Sequence, residues 1–220
     1  MLSTQPARVN RGHGTVDCSG CGERAMGEKY ESEAPKAVGA DMRELDDICL
    51  DKEPMAGATG VRRAVAADID GVAALVAKFR VELKGYKGVQ SAEDAGAAKA
   101  EVEEYAAAGF PIFVFEEAGE ILGYLVCRID GSVVWVESLY VLSTHRRKGA
   151  ASALFDAAQQ LAASYGEDTL YNYVHPNNDA MIAFLHRKGY DVLNLIEIRR
   201  KHEGEEPRER IRVGNNVFGY

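Results

Sequence analysis

His145-Arg-Arg-Lys-Gly149-Ala-Ala-Ser-Ala-Leu-Phe155 places two arginines and a lysine directly before a glycine and two alanines, then continues as an apolar helix. The residues just upstream, Val136-Glu-Ser-Leu-Tyr-Val141, are apolar, β-branched and aromatic enough to read as a strand. A strand that turns through 142–148 and enters a helix at Gly149 leaves the amides of the first helical turn without partners. The aligned peptide dipoles put partial positive charge at the same end. Such an end can hold an anion. Gly149, Ala150 and Ala151 allow close approach to the backbone, and Arg146, Arg147 and Lys148 add mobile charge, which suits a pyrophosphate better than a carboxylate. The loop is not a Walker loop, because no Gly-Lys-Ser/Thr follows, nor the dinucleotide pattern G-x-G-x-x-G. Taken alone, the same residues also suit a solvated basic loop in which glycine eases a helix start.

Working outward, the regular part of the chain begins at Val61. Val61-Arg-Arg-Ala-Val65 alternates like a strand, and Ile69, Val72, Val76, Phe79 and Leu83 fall on one helical face at spacings of three and four. Ala98, Val102 and Tyr105 mark a second, thinner helix. Three apolar runs follow, PIFVFEE, ILGYLVCRI and VVWVESLYVL, separated by Ala118-Gly119 and Asp130-Gly131. The second pair predicts a hairpin turn with positive φ at both residues, and the three runs form an antiparallel meander. After the helix from about Gly149 to Tyr165, TLYNYV predicts a strand. Asn178 to Lys188 predicts a helix with Met181, Phe184 and Leu185 inward, stopped by Gly189. YDVLNLIEIRR predicts one or two closing strands. The order is β-α-α-β-β-β-α-β-α-β, a mixed α/β sheet with helices on both faces.

The 220 residues, 46% of them hydrophobic, suit one core-forming domain over residues 61–202 with an N-terminal extension (1–60) and a C-terminal tail (203–220). No apolar run of about 18 residues exists, so nothing should span a membrane. The first residues lack the apolar block of a secretory signal, which predicts a cytoplasmic protein. A net charge of −8 gives no support for nucleic-acid binding. Four scattered cysteines make no disulfide framework. Residues 1–60 carry 7 Lys+Arg against 11 Asp+Glu among scattered glycines and prolines, which predicts a largely mobile segment, with a short helix at 42–50. Cys18 and Cys21 have the spacing of two zinc corners, but a second pair is missing, since Cys49 and His13 sit at no recognised spacing. No metal is therefore expected. Translation from Met55 would leave the first 54 residues without a role.

With these elements in place, Arg146-Arg-Lys-Gly-Ala-Ala151 resembles the (Arg/Gln)-x-x-Gly-x-(Gly/Ala) signature of the GNAT family of N-acetyltransferases. Val136–Val141 is similar to that family's fourth strand, and Asn178-Asp-Ala-Met-Ile-Ala-Phe-Leu-His-Arg-Lys-Gly189-Tyr190 to its last helix. The resemblance spans about residues 61–200. It implies acetyl-CoA as co-substrate, with the pantetheine on the backbone of Leu139, Tyr140 and Val141 and beside Asn178. It also implies the pyrophosphate on residues Arg146, Arg147, Lys148, Gly149, Ala150 and Ala151, and a homodimer as an expected assembly.

Acetylation of an amine has two proton problems. An ammonium with a pKa of about 10.4 is neutral in fewer than about one molecule in a thousand at pH 7, so a base must take its proton. Glu137, two residues before the pantetheine segment, is the candidate base, acting directly or through water; an ion pair on a half-buried strand is the other reading of the same residue. The departing thiolate then needs an acid. By resemblance a tyrosine of the last helix supplies it, but Leu185 stands there. Tyr173 is the candidate acid, with Tyr140, Tyr171 and His175 as neighbours of similar chemistry. The expected function is transfer of an acetyl group to the primary amine of an unidentified protein or small molecule by direct attack in a ternary complex. The alternative is a catalytically weak acyl-CoA sensor, favoured by Leu185. Trp135 and Cys127 read as core residues, although one face of Trp135 can line an acceptor cleft.

Overall fold

The computed structural model describes residues 59–207 and 209–219. The Cys18/Cys21 pair, His13, Cys49, the 42–50 helix and Met55 lie outside the described residues.

Five strands form one sheet in the order β1-β2-β3-β4-β5: β1 Gly60–Arg63, β2 Ile112–Glu117, β3 Glu120–Asp130, β4 Val133–Val141 and β5 Tyr171–Asn172. All neighbours are antiparallel except β4 and β5, which run parallel because helix α3, Ala150–Ser164, connects them. Helices α1, Ile69–Tyr86, and α2, Ala95–Ala107, pack on one face, while α3 and α4, Asp179–Arg187, pack on the other.

Two-sided burial explains why β2 and β3 read as continuous apolar runs. Phe113, Leu125 and Cys127 point to the α3 layer and join Leu154, Phe155 and Ala158. Val114, Tyr124 and Val126 point the other way, against Val72, Val76 and Val102. All twelve are essentially buried, worth about 1.5–3 kcal/mol for each large apolar side chain. The periodic positions predicted for α2, Ala98, Val102 and Tyr105, are its buried ones. Asp94 caps this helix by accepting a hydrogen bond from the Ala97 amide at 2.9 Å. Gly123 marks a close approach of β3 to β4 and α3: a Cβ there would lie 3.0 Å from Val141, 3.1 Å from the Tyr140 carbonyl oxygen and 3.2 Å from Leu154.

Four expectations need correction. The β3–β4 turn is Gly131-Ser132, closing the Asp130–Val133 pair, with positive φ at Gly131 alone. A one-residue slip would turn Val134 and Val136 away from the α3 layer they fill, so burial sets the register. The turn with two positive φ values is Ala118-Gly119, at 54° and 84°. The strand predicted over TLYNYV is reduced to Tyr171–Asn172. YDVLNLIEIRR forms no strand: Val192, Leu193, Leu195, Ile196 and Ile198 are exposed, and their irregular spacing fills neither face of a pleat. The polar tail instead contains a hairpin, β6 Arg210–Val213 with β7 Asn216–Gly219, turning at Gly214.

Candidate active site

The site begins with an interruption in a ladder. Along β3 and β4, Val126 pairs with Ser138 but the next residue, Cys127, pairs with Val136, so Glu137 is the extra residue of a β-bulge. The bulge bends β4 where its pairing with β5 ends. Trp135 pairs with Tyr171 and Val136 with Asn172, and no pair follows. From Glu137 to Val141, the outer side of β4 has no strand partner among the described residues. Leu139 and Val141, whose backbone groups alternate with those of Tyr140 facing β3, thus keep a backbone edge turned towards a gap, which is how a sheet can receive an extended ligand. The side chain of Tyr140 points to the α1 layer, as does that of Ser138, whose hydroxyl is within 2.8 Å of the buried Tyr124 hydroxyl.

At the end of this edge lies the loop read first in the sequence. Arg147 and Gly149 adopt left-handed backbone, with φ of 66° and 96°, and Gly149 stands at the N-cap of α3 with no side-chain cap. A Cβ on Gly149 would meet nothing within 4 Å, so conformation and not space demands glycine there. Ala150 is buried, while Arg147 and Lys148 are exposed beside the uncapped turn.

Arg146 behaves differently from its neighbours. Its Nε donates to the Val141 carbonyl at 2.9 Å, its guanidinium reaches both Glu82 oxygens at 2.7 and 2.8 Å, and it lies 5.1 Å from the Tyr140 ring centre. The Tyr140 hydroxyl also donates to Glu82, at 3.0 Å. Burial, and then Glu82, push the Tyr140 phenol up to about 12. Tyr140 therefore stays protonated and engaged, and is poorly placed as the acid. Glu82 was missed in the sequence, where nothing links a residue of α1 with one 64 positions later.

The remaining predicted residues fall around the gap. Asn178 caps α4, its side-chain oxygen accepting from the Met181 amide at 3.1 Å, so the same residue that starts the helix turns its amide nitrogen elsewhere. Leu185 is buried in the α3-side core, 8% exposed, which accounts for an apolar residue at the expected tyrosine position. Tyr173, just past β5, is 63% exposed with its ring stacked on Trp135. Trp135 is half-buried and not part of the core. Glu137 is exposed and accepts from Arg128 Nε at 3.3 Å. His175 accepts from the Asn177 amide through Nδ1 at 3.2 Å and stacks on Tyr86; burial and then Lys87 lower its pKa, so it is neutral at pH 7. Cys127 is buried core, its thiol pushed up to about 12 by desolvation. No group of metal-binding side chains occurs among the described residues.

A split edge between parallel strands, next to an uncapped helix start, is a geometry with relatives. The sequence profile of the Acetyltransferase (GNAT) family matches residues 80–190. The chain belongs to the GNAT family. It is therefore an acyltransferase by family. Among solved structures it is similar to the aminoglycoside acetyltransferase AAC(6')-Iy in complex with the bisubstrate analogue CoA-S-monomethyl-acetylneamine. Identity is 18%, covering 66% of this chain and 99% of that one, with a TM-score of 0.52. The aminoglycoside 6'-N-acetyltransferase AAC(6')-IG from Acinetobacter haemolyticus is similar at 16% identity, 65% and 98% coverage and a TM-score of 0.51. A protein described as a "possible acetyltransferase" from Clostridium difficile 630 gives 19%, 66%, 99% and 0.53. At such identities the likeness is one of fold. No curated protein matches the sequence.

Proposed function

We propose that this GNAT protein moves an acetyl group from acetyl-CoA to a primary amine by direct attack in a ternary complex. The observation that carries the reading is the parting of β4 from β5 at the Glu137 bulge, in line with the uncapped start of α3. In this reading the amides of Arg146 to Ala151 and the side chains of Arg147 and Lys148 hold the pyrophosphate. The backbone of Leu139 and Val141, with the amide of Asn178, aligns the pantetheine. A strand-edge amide also supplies the donor needed where negative charge develops on the thioester oxygen.

Glu137 takes the proton of the acceptor ammonium, directly or through one water. A C–N bond then forms as the C–S bond breaks, and the hydroxyl of Tyr173 returns a proton to the sulfur. The solved relatives named for aminoglycosides favour amino sugars among candidate acceptors. No helix among the described residues is long and apolar enough to cross a membrane, and a cytoplasmic setting belongs to the proposal.

Calorimetric titration with acetyl-CoA and with free CoA tests the donor site, using an Arg146→Ala, Gly149→Asp double variant as control. Micromolar binding that the variant loses is expected, followed by thiol release on addition of an amine. Absence of heat with both ligands in the unsubstituted protein would sink the reading. A sensor without turnover is the second reading, favoured by the burial of Leu185, which removes the α4 hydroxyl group. It predicts donor binding with no thiol release from any amine.

A further inference from the structure

Trp135, the single tryptophan of the chain, sits between two tyrosines. Its ring centre lies 4.8 Å from that of Tyr173 at an interplanar angle of 12°, and 5.0 Å from that of Tyr171 at 37°. Arg128, its cross-strand partner on β3, places a guanidinium 5.3 Å from the indole centre. That guanidinium is shared between Glu137 at 3.3 Å and Asp130 at 4.0 Å. Two carboxylates around one cation leave the patch net negative. Tyr173 is stacked on one side yet 63% exposed, so its other side faces solvent. A sheet face that merely meets water carries polar residues; three adjacent aromatic rings there call for an occupant.

Resting on the acetyl-transfer reading, we infer that this aromatic ladder is the acceptor platform of the enzyme. It takes a small acceptor that carries a second cationic group besides the amine to be acetylated. The second cation rests against the open side of the Tyr173 ring, where the ring quadrupole attracts it and the net negative charge of Asp130, Glu137 and Arg128 beside the stacked Trp135 complements it. Arg128 over the indole shows that this ring already accommodates a cation. Trp135 and Glu137 are neighbours through Arg128, whose guanidinium lies 5.3 Å from the indole centre and 3.3 Å from the Glu137 carboxylate. An acceptor with two amines a few bonds apart therefore spans platform and base together, whereas a monoamine can meet only one of them.

Because no other tryptophan is present, indole emission reports this patch alone. Protein saturated with CoA is titrated with 1,4-diaminobutane, with neamine and with n-butylamine. The diamine and the amino sugar should change Trp135 emission saturably, with at least about tenfold tighter binding than n-butylamine. Tyr173→Ala, an exposed position that should fold normally, should weaken this binding about tenfold. Tyr173→Phe should preserve it while slowing turnover, which separates the ring from the hydroxyl. Acetyl-CoA titrations should be alike in all three proteins. Equal or absent emission changes with all amines, while acetyl-CoA still binds, would overturn the platform and leave the donor reading standing. Failure of acetyl-CoA to bind the unsubstituted protein would remove the donor reading and this inference with it.

Discussion

Glu137 is the residue of β4 that the ladder skips, and this sets what its carboxylate can do. A side chain on a bulge is re-aimed relative to the pleat, here towards Arg128 and solvent beside the open strand edge. Glu137→Gln should lower kcat about 10²-fold or more, with acetyl-CoA affinity within about twofold of the parent, as measured by thiol release and calorimetry. An unchanged kcat would exclude Glu137 as base. Ala118 is a second informative residue, held at φ 54° in the turn between β2 and β3. A Cβ in left-handed backbone costs about 1 kcal/mol, partly offset by glycine's greater unfolded-state entropy. Ala118→Gly should therefore raise stability by about 0.5 kcal/mol, seen as a higher urea midpoint at constant slope. The candidate base was legible from its place before Leu139-Tyr-Val141, but the bulge that aims it was not. A bulge is a property of two strands in register, and one strand's letters do not encode it.

Among the elements, the helices were the most legible, because the three-and-four spacing of apolar residues is carried within one segment. α1 and α3 lie close to where Val72, Val76, Leu154 and Ala158 put them. Strands depend on partners, and there the reading failed twice. β5 stops after two residues because β4 bends away, and 191–200 has apolar content without a usable alternation. Gly123 shows how tightly the elements at the site are coupled. An alanine there must push on Leu154 of α3, Val141 and the Tyr140 carbonyl at once. Gly123→Ala should cost about 1–3 kcal/mol in chemical denaturation. Because two of those neighbours belong to the β4 segment proposed to align pantetheine, acetyl-CoA affinity should fall as well. Affinity preserved at reduced stability would show that α3 yields and β4 does not.

For the whole molecule, one ion-pair cluster ties the start of the domain to its sheet. Arg62 on β1 donates to both oxygens of Asp68, at 2.6 and 2.9 Å, and to Glu116 on β2 at 2.6 Å. Asp68 is almost buried and also accepts from the Val65 amide at 2.7 Å. Hydrogen bonds from Arg62 lower the Asp68 pKa more than burial raises it. A carboxyl lowered in the native state adds stability that is complete above its unfolded value of about 3.9 and fades as pH falls through the native one. Asp68→Asn should thus be less stable than the parent by up to about 3 kcal/mol at pH 7, with the difference shrinking as pH falls below about 4. A difference independent of pH would mean that shape, not charge, is what the carboxylate provides. The link from Arg62 to Glu116, like the Glu82–Arg146 pair, was invisible in the sequence, since each joins distant segments through long side chains.

The uncovered stretch from Val192 to Ile198 has a consequence for how the protein behaves in bulk. Its backbone is outside every ladder and its five aliphatic side chains meet water, so it offers both the polar groups and the sticky surface that extended chains use to associate. At neutral pH the net charge of −8 keeps molecules apart. Near the isoelectric point of about 5.2, or at salt concentrations that screen that repulsion, this barrier is gone. Turbidity should then set in first at high protein concentration close to pH 5, and a charged replacement such as Ile196→Lys should delay it, making colloidal shelf life a readout of one bare ribbon of chain.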